Sequence, residues 1–450
     1  MTRKFDLIAI GTGSAASAAA SKCRSAGWQV GIIDSRPFGG TCALRGCDPK
    51  KVLVGLSDVF DWARRMKGKG IQFETLQIGW QEVMRFKRSF TEPVPKSREE
   101  MFAKAGIEAF RGRARFVGAS TVQVGDDILD GRYVVVAAGQ KPADLKIPGT
   151  EHLTTSEQFL DLDELPKRIL FIGGGYIAFE FAHVAVRAGS RVTIVHRRAR
   201  PLERFDPDLV EQVVKRTREL GVDIQLSTEA EGIEKDPGHF TVVASVSGQK
   251  RLFQADMVVH AAGRVPEIDD LDLGVAGVAC DERGVTVNEF LQSVSNPAVY
   301  AAGDAAASGG PPLTPVASHD GLVVASNLLN GNHQKPDYRA IPTVVFTIPP
   351  LASVGLTEIE AGYQGFKFRV RKDMTSGWYS SRRVGETYSG FKTLVEEGTD
   401  RILGAHLLGG QAEEVVNLFA VAMRSGMCAT DLKHAIFSYP THGSDVPYML

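Results

Sequence analysis

Two glycine turns with the same internal spacing govern what this 450-residue chain can fold into. The first lies in KFDLIAIGTGSAASAAASKCRSAGWQVGIID. An apolar strand, Phe5 to Ile10, runs into Gly11, Gly13 and Ala16, which form G-x-G-x-x-A. A small-residue, helix-compatible stretch follows from Ala15 to Cys23, and a second apolar strand, Val30 to Ile33, ends on Asp34. The glycines allow a sharp turn and close approach of the backbone to a pyrophosphate. The helix start, with Ser14 and Ala15, offers free N–H groups to its charge, and the terminal acid binds ribose hydroxyls. The motif alone is weak; inside a complete strand–turn–helix–strand with an acid 21 residues beyond Gly13, it specifies dinucleotide binding.

The pattern recurs in RILFIGGGYIAFEFAHVAVRAGSRVTIVHRRAR, with Gly173, Gly175 and Ala178 in the same places. Here the position corresponding to Asp34 is His196, followed by Arg197 and Arg198. A basic cluster suits a 2′-phosphate where an acid would suit a 2′-hydroxyl, so the spacing predicts NADPH over NADH. Two dinucleotide sites in one chain suggest a bound flavin and an exchanging nicotinamide. Further strand-to-turn junctions agree with this. YVVVAAGQKP carries Ala138 and Gly139, MVVHAAGRVP carries Gly263, and AVYAAGDAA delivers Gly303 and Asp304 into a loop. An aspartate there hydrogen-bonds a ribityl hydroxyl where glycine lets the backbone come close.

Composition bounds the rest. The chain is 43% hydrophobic and 23% charged with 47 glycines, and its length predicts roughly three domains. A formal net charge of −1 gives no field that favours nucleic acid or an anionic membrane. No apolar run approaches the ~20 residues of a membrane span, and the N-terminus reads as a strand rather than a signal peptide, so a cytoplasmic enzyme is expected. Five cysteines suit no disulfide framework. Two of them, Cys42 and Cys47, lie close together in FGGTCALRGCDPKK. Read alone, that pair is a structural staple, half of a metal site, or a redox dithiol. No second ligand pair at zinc spacing appears, and no metal site is expected. Gly39-Gly40-Thr41 predicts a turn, and a helix starting near Cys47 places that thiol at a positive helix end. Asp48, directly after Cys47, is expected to raise that thiol's pKa.

Together these residues resemble the pyridine nucleotide–disulfide oxidoreductase family, which includes glutathione reductase, dihydrolipoamide dehydrogenase and mercuric reductase. The resemblance spans essentially the whole chain. It rests on the G-G-T-C-x4-C-x-P-x-K element, both fingerprints, the A-G-D loop with LTPVA (Leu313 to Ala317), and IPTVVFTIPPLASVGLTEIEA. It implies an α/β fold with two Rossmann-like domains and a C-terminal α+β dimerisation domain. The FAD domain would be split between residues 1–147 and 268–338, with the NAD(P) domain at 148–267 and the interface domain at 339–450. It implies that Cys42 and Cys47 form the redox-active disulfide, and that Gly40, Thr41, Lys51, Pro315 and Ala317 belong to the flavin site. Lys51 would pair with Glu180 to help hydride transfer, and Tyr176, beside Ile177, would cover the nicotinamide site. A homodimer whose active site is completed by the partner's C-terminal segment is implied.

The tail departs from the family pattern. Where disulfide-reducing members have H-P-T-x-x-E, the chain reads FSYPTHGSDVPYML, with Tyr439 at the histidine and Ser444 at the glutamate. Tyrosine titrates near pKa ~10 and is a poor proton shuttle beside imidazole near ~6.5. His442, oriented by Asp445, or Tyr439 acting as a neutral donor are the candidate replacements. Leu322 also stands where glutathione reductases carry a substrate arginine, so glutathione binding does not follow. The expected function is transfer of electrons from NADPH through FAD to the Cys42–Cys47 disulfide, and on to a small disulfide or other thiol-reactive acceptor. The alternatives are reduction of a soft metal ion or a quinone, and a flavin-binding sensor.

Overall fold

The computed structural model describes residues 2–450. The chain divides into two compact units, one of Met1–Lys50, Phe86–Ala143 and Arg264–Tyr338, the other of Lys51–Arg85, Asp144–Gly263 and Arg339–Leu450.

The first unit is built on a sheet whose parallel strands are Glu108–Arg111, Val30–Asp34, Thr2–Ile10, Asp127–Val136 and Val299–Ala301. Two short antiparallel strands extend it, Thr121–Val124 and Ala114–Phe116. From Leu7 to Ile10 the central strand is apolar and buried because both faces are covered there. Leu7 and Ala9 point into a core with the helices Ser14–Ser25 and Thr314–Asn330, through Ala16, Ala20, Val323 and Leu328. Ile8 and Ile10, of opposite parity, point into a second core with Phe116, Val134, Leu271 and Val299. The small residues of Ser14–Ser25 have a packing reason: Gly321 of Thr314–Asn330 lies so close that a β-carbon there would collide with the Ala15 carbonyl.

The second unit holds three sheets. A five-stranded parallel sheet runs in the order Asp223–Gln225, Arg191–Val195, Arg168–Ile172, Met257–His260, Leu153–Thr154. The helix Tyr176–Arg187 packs on it through Ala178, Phe181 and Ala185. Thr228–Asp236, His239–Val246 and Gln249–Ala255 make an antiparallel meander. The third sheet is antiparallel, in the order Thr343–Val345, Leu351–Gly355, Ile402–Leu408, Gly390–Glu396, Phe368–Met374. The helix Ala412–Arg424 covers it with Val415, Val416 and Phe419. A single core joins the parallel sheet to this third sheet, reaching from Leu53 and Met84 through Phe171 and Phe179 to Val345 and Leu408. Among the described residues no helix is long and apolar enough to cross a membrane.

Candidate active site

The first fingerprint sits at the carboxyl end of Thr2–Ile10, where the chain must turn tightly into Ser14–Ser25. Gly11 has φ +108°, and a β-carbon on it would collide with the Ala137 carbonyl at the end of the neighbouring strand. A side chain is excluded twice, by conformation and by space. Thr12 locks the turn to the second strand: its N–H and Oγ1–H donate to Asp34 Oδ2 at 3.0 and 2.6 Å, while Arg36 N–H donates to Oδ1 at 3.0 Å. Bonds to a carboxylate stabilise by roughly 1.5–3 kcal/mol each, enough to hold a short turn in one conformation. Gly39 N–H donates back to Thr12 Oγ1 at 3.1 Å, and Gly40, at φ +74°, lies against Gly13. A β-carbon on Gly303, at φ +63°, would press on the side chain of Ala317 and touch that of Ala15.

Gly11, Gly13, Ser14, Ala15, Ala16, Asp34, Gly40, Thr41, Gly303, Asp304, Pro315 and Ala317 therefore belong to one unit, as do Ala138 and Gly139 at the end of the strand beside the first. The lining is backbone and small side chains, with Asp304 at the turn that follows Val299–Ala301. Burial pushes the Asp304 carboxyl up to about 6; Arg264 acts against this, while Cys47 and Asp320 act with it. Among the described residues no donor hydrogen-bonds the Asp304 carboxylate. A largely buried carboxylate of this kind fits a ligand hydroxyl, and a turn with no room for a β-carbon at Gly11 or Gly40 fits a dinucleotide pressed against main chain. The residues present thus fit FAD.

The dithiol lies on two consecutive helices of the same unit. Cys42 is the third residue of the short helix Gly40–Arg45, and Cys47 opens the helix Cys47–Arg65. The proximity of Cys47, burial and the charge of Asp48 all hold the Cys42 proton on; Thr314 acts the other way. Cys47 Sγ is 3.5 Å from Oγ1 of Thr314, the first residue of Thr314–Asn330 and part of LTPVA, a motif that did not by itself say which group it meets. Asp48 was expected against Cys47. Its carboxylate accepts instead from Cys42 Sγ, at 3.7 Å, because the turn at Gly46 brings the first cysteine back over the start of the second helix.

One turn after Cys47 the same helix carries Lys51, which belongs to the second unit. Lys51 Nζ donates to Glu180 Oε2 at 2.8 Å, and Phe346 N–H donates to Glu180 Oε1 at 3.0 Å. Glu180 is 1% exposed, and a carboxylate that deep is tolerated only because both oxygens are met by donors. Farther along Tyr176–Arg187, His183 Nδ1 accepts from Ile348 N–H at 2.9 Å. Arg187 donates to Asp61 Oδ1 at 2.7 Å and to the Ile348 carbonyl at 3.3 Å. Burial, with the charges of Arg187 and Arg216, keeps His183 neutral.

The second fingerprint has the geometry of the first. Gly173 has φ +120°, and a β-carbon there would meet the Ala261 carbonyl. Gly175 precedes the helix start without any side-chain cap, leaving the first N–H groups to a ligand. Tyr176, the first helical residue, is 47% exposed and Ile177 half-buried behind it. Gly263 follows the neighbouring strand Met257–His260. These residues fit a second dinucleotide. The basic cluster is not uniform, however. The His196 ring lies so close to Gly174 that a β-carbon there would collide with it, its Nε2 is 3.1 Å from the Arg200 carbonyl, and burial depresses its pKa. His196 therefore shapes the turn without adding charge. Arg198 pairs with Glu203, whereas Arg197 is exposed and has no ion-pair partner among the described residues.

In the tail Tyr439 is 81% exposed. Thr441 caps the 3-10 helix His442–Met449: its Oγ1 accepts from Ser444 N–H at 3.2 Å, and Ser444 Oγ meets Thr441 N–H at the same distance. Ser444 thus serves the cap. His442 is half-buried and its pKa is lowered by burial, opposed by Asp445; Asp445 is itself raised by burial and held by Ser380. Of the remaining cysteines, Cys23 is in the core, Cys280 is exposed, and Cys428 Sγ accepts from Asp431 N–H at a helix start.

Known proteins share this fold. Residues 5–321 match the family model "Pyridine nucleotide-disulphide oxidoreductase", and residues 341–449 match its dimerisation domain. A mercuric reductase of Staphylococcus aureus is 31% identical over 97% of this chain and 80% of its own length. A glutathione reductase of Burkholderia cepacia is 31% identical over 97% and 96%. The HOCl-induced flavoprotein disulfide reductase RclA of Escherichia coli superimposes with a TM-score of 0.88 at 26% identity, over 99% of both chains. A Cu(II) complex of the same protein gives 0.89 at 27%. The chain belongs to the pyridine nucleotide-disulphide oxidoreductases, dimerisation domain included, which are flavoenzymes that use FAD and NAD(P)H.

Proposed function

We propose that the protein is an NADPH-dependent reductase whose Cys42–Cys47 pair passes two electrons to a small thiol-reactive acceptor. The observation that carries this reading is that two free cysteines flank the break at Gly46, Cys42 Sγ on Asp48 at the start of the second helix and Cys47 opening that helix against Thr314. FAD, when bound, supplies the two-electron relay between nicotinamide and disulfide. The chain's own groups do the rest. Lys51, fixed by Glu180, presents a cation on the reducing side. Arg197 and Arg198 meet the 2′-phosphate, and Tyr176 shields the nicotinamide position. NADPH and one proton reduce the disulfide to two thiols and give NADP+. Cys42 then attacks an acceptor disulfide and its proton goes to the departing acceptor thiol, carried by His442 or passed while neutral Tyr439 hydrogen-bonds that sulfur; Cys47 closes the enzyme disulfide, and its proton leaves with the second acceptor thiol.

A metal-ion acceptor is the second reading, favoured by the exposed Tyr439 in the place of an acid–base group. Two electrons delivered to a thiophilic divalent cation need no protonated leaving thiol. Relatives named for mercuric ion, and a copper complex of a structural neighbour, support it. Turnover against oxidised glutathione, lipoamide, mercuric and cupric ions and quinones, in wild type and Cys42→Ser, separates the readings. Two-electron reduction of the wild type is expected to give a long-wavelength thiolate–flavin band. Its absence, or quinone turnover that survives Cys42→Ser as the main activity, overturns the dithiol route. Arg197→Ala should raise the KM for NADPH by roughly tenfold and leave NADH unchanged, as loss of one charge-assisted phosphate contact requires.

A further inference from the structure

We infer that Phe346 is a positioning residue for Lys51, an inference that rests on the role given to Lys51 above. The Lys51 ammonium lies 3.9 Å from the centre of the Phe346 ring, while the main-chain N–H of the same residue holds Glu180 Oε1 at 3.0 Å. Phe346 thus touches both members of the ion pair, the cation through its ring and the carboxylate through its backbone. The ring face carries the negative end of its quadrupole, and a cation over it at this distance is attracted most where water is scarce. Glu180 is almost wholly buried and the Lys51 side chain is 29% exposed, so the pair reaches from the water-poor interior toward its edge. Lysine has a flexible four-carbon stem and a compact head, so one carboxylate by itself fixes its distance but not its direction. Carboxylate and ring together leave it a narrow cone.

The ring is itself held. Phe346 follows the strand Thr343–Val345, and two residues later Ile348 is fixed at both its main-chain groups, its N–H by His183 and its carbonyl by Arg187. Glu180, His183 and Arg187 are spaced along one helix so that each takes a successive part of this segment. The helix that supplies Glu180 therefore also places the ring that aims its partner.

The holoenzyme variants Phe346→Leu and Phe346→Tyr separate ring from backbone, since both keep the N–H to Glu180; Phe346→Met serves as a second aliphatic variant should the leucine form fold poorly. Lys51 acylation by acetic anhydride, quantified by mass spectrometry against exposed Lys104, is expected to rise about three- to tenfold in the aliphatic variants and to stay within about twofold in Phe346→Tyr. Unchanged labelling in the aliphatic variants, or an equal rise in Phe346→Tyr, overturns the inference. Stopped-flow reduction of the flavin by NADPH supplies the second readout. Phe346→Leu should slow it in the wild-type background and add nothing in Lys51→Met; an equal further loss in Lys51→Met overturns the inference. If Lys51→Met alone leaves the rate unchanged, the catalytic role of Lys51 falls, and the labelling still decides whether Phe346 positions it.

Discussion

Asp48 shows how one residue changes meaning with its neighbour. The sequence puts it beside Cys47, yet its carboxylate meets Cys42, whose proton it helps to retain. A negative charge next to a thiol stabilises the protonated form, so removing the charge must lower that thiol's pKa. Asp48→Asn is expected to shift the pH profile of Cys42 alkylation in the reduced enzyme to lower pH and to speed alkylation severalfold near pH 8. A profile unmoved by the substitution would show that the Cys47 contact alone sets Cys42. The choice of target by Asp48 was not legible in advance. It depends on the break at Gly46, which turns one helix into two.

At the scale of elements, the helix Tyr176–Arg187 does three things with residues a turn apart. It opens the second nucleotide site at Tyr176, buries Glu180 against Lys51, and ends in Arg187 between Asp61 and the Ile348 carbonyl. Asp61 is shared by Arg187, Arg65 and Arg216 in a nearly water-free cluster. Breaking such a cluster on one side leaves charge without its partner. Arg187→Met should destabilise by about 3 kcal/mol, seen as a lower urea midpoint, because Asp61 loses its most buried cation. Arg187→Lys should recover little of it, since an ammonium cannot bond carboxylate and carbonyl in the same fork. A midpoint equal to wild type in Arg187→Met would mark the cluster as energetically neutral. The glycine turns and flanking strands were legible from local pattern, because turn chemistry and period-two burial act over few residues. The Asp61–Arg187 pair was not, because nothing local in either helix marks a partner so far away in the chain.

For the whole molecule, the dimerisation region bears on how the site is completed. If His442 or Tyr439 serves the dithiol of a second copy, damage in different places must complement. Mixing refolded Cys42→Ser subunits with His442→Gln/Tyr439→Phe subunits should create hybrids with one undamaged site. Those hybrids should regain roughly half of the wild-type activity per dimer toward a disulfide acceptor, by the isologous exchange of a two-fold interface. No recovery despite proven exchange would place both groups outside the partner's reaction. By itself the sequence determined the two dinucleotide folds and the cofactor class, and it marked Cys42 and Cys47 as a close pair, because each is written in residues close together along the chain. Only the tertiary structure decided which groups those motifs meet: Thr314 at Cys47, Phe346 over Lys51, Arg200 and Gly174 around His196. The reason is physical. Turn and strand propensities act between neighbours in sequence, whereas a buried charge takes whatever partner the packing of distant segments brings within hydrogen-bonding reach.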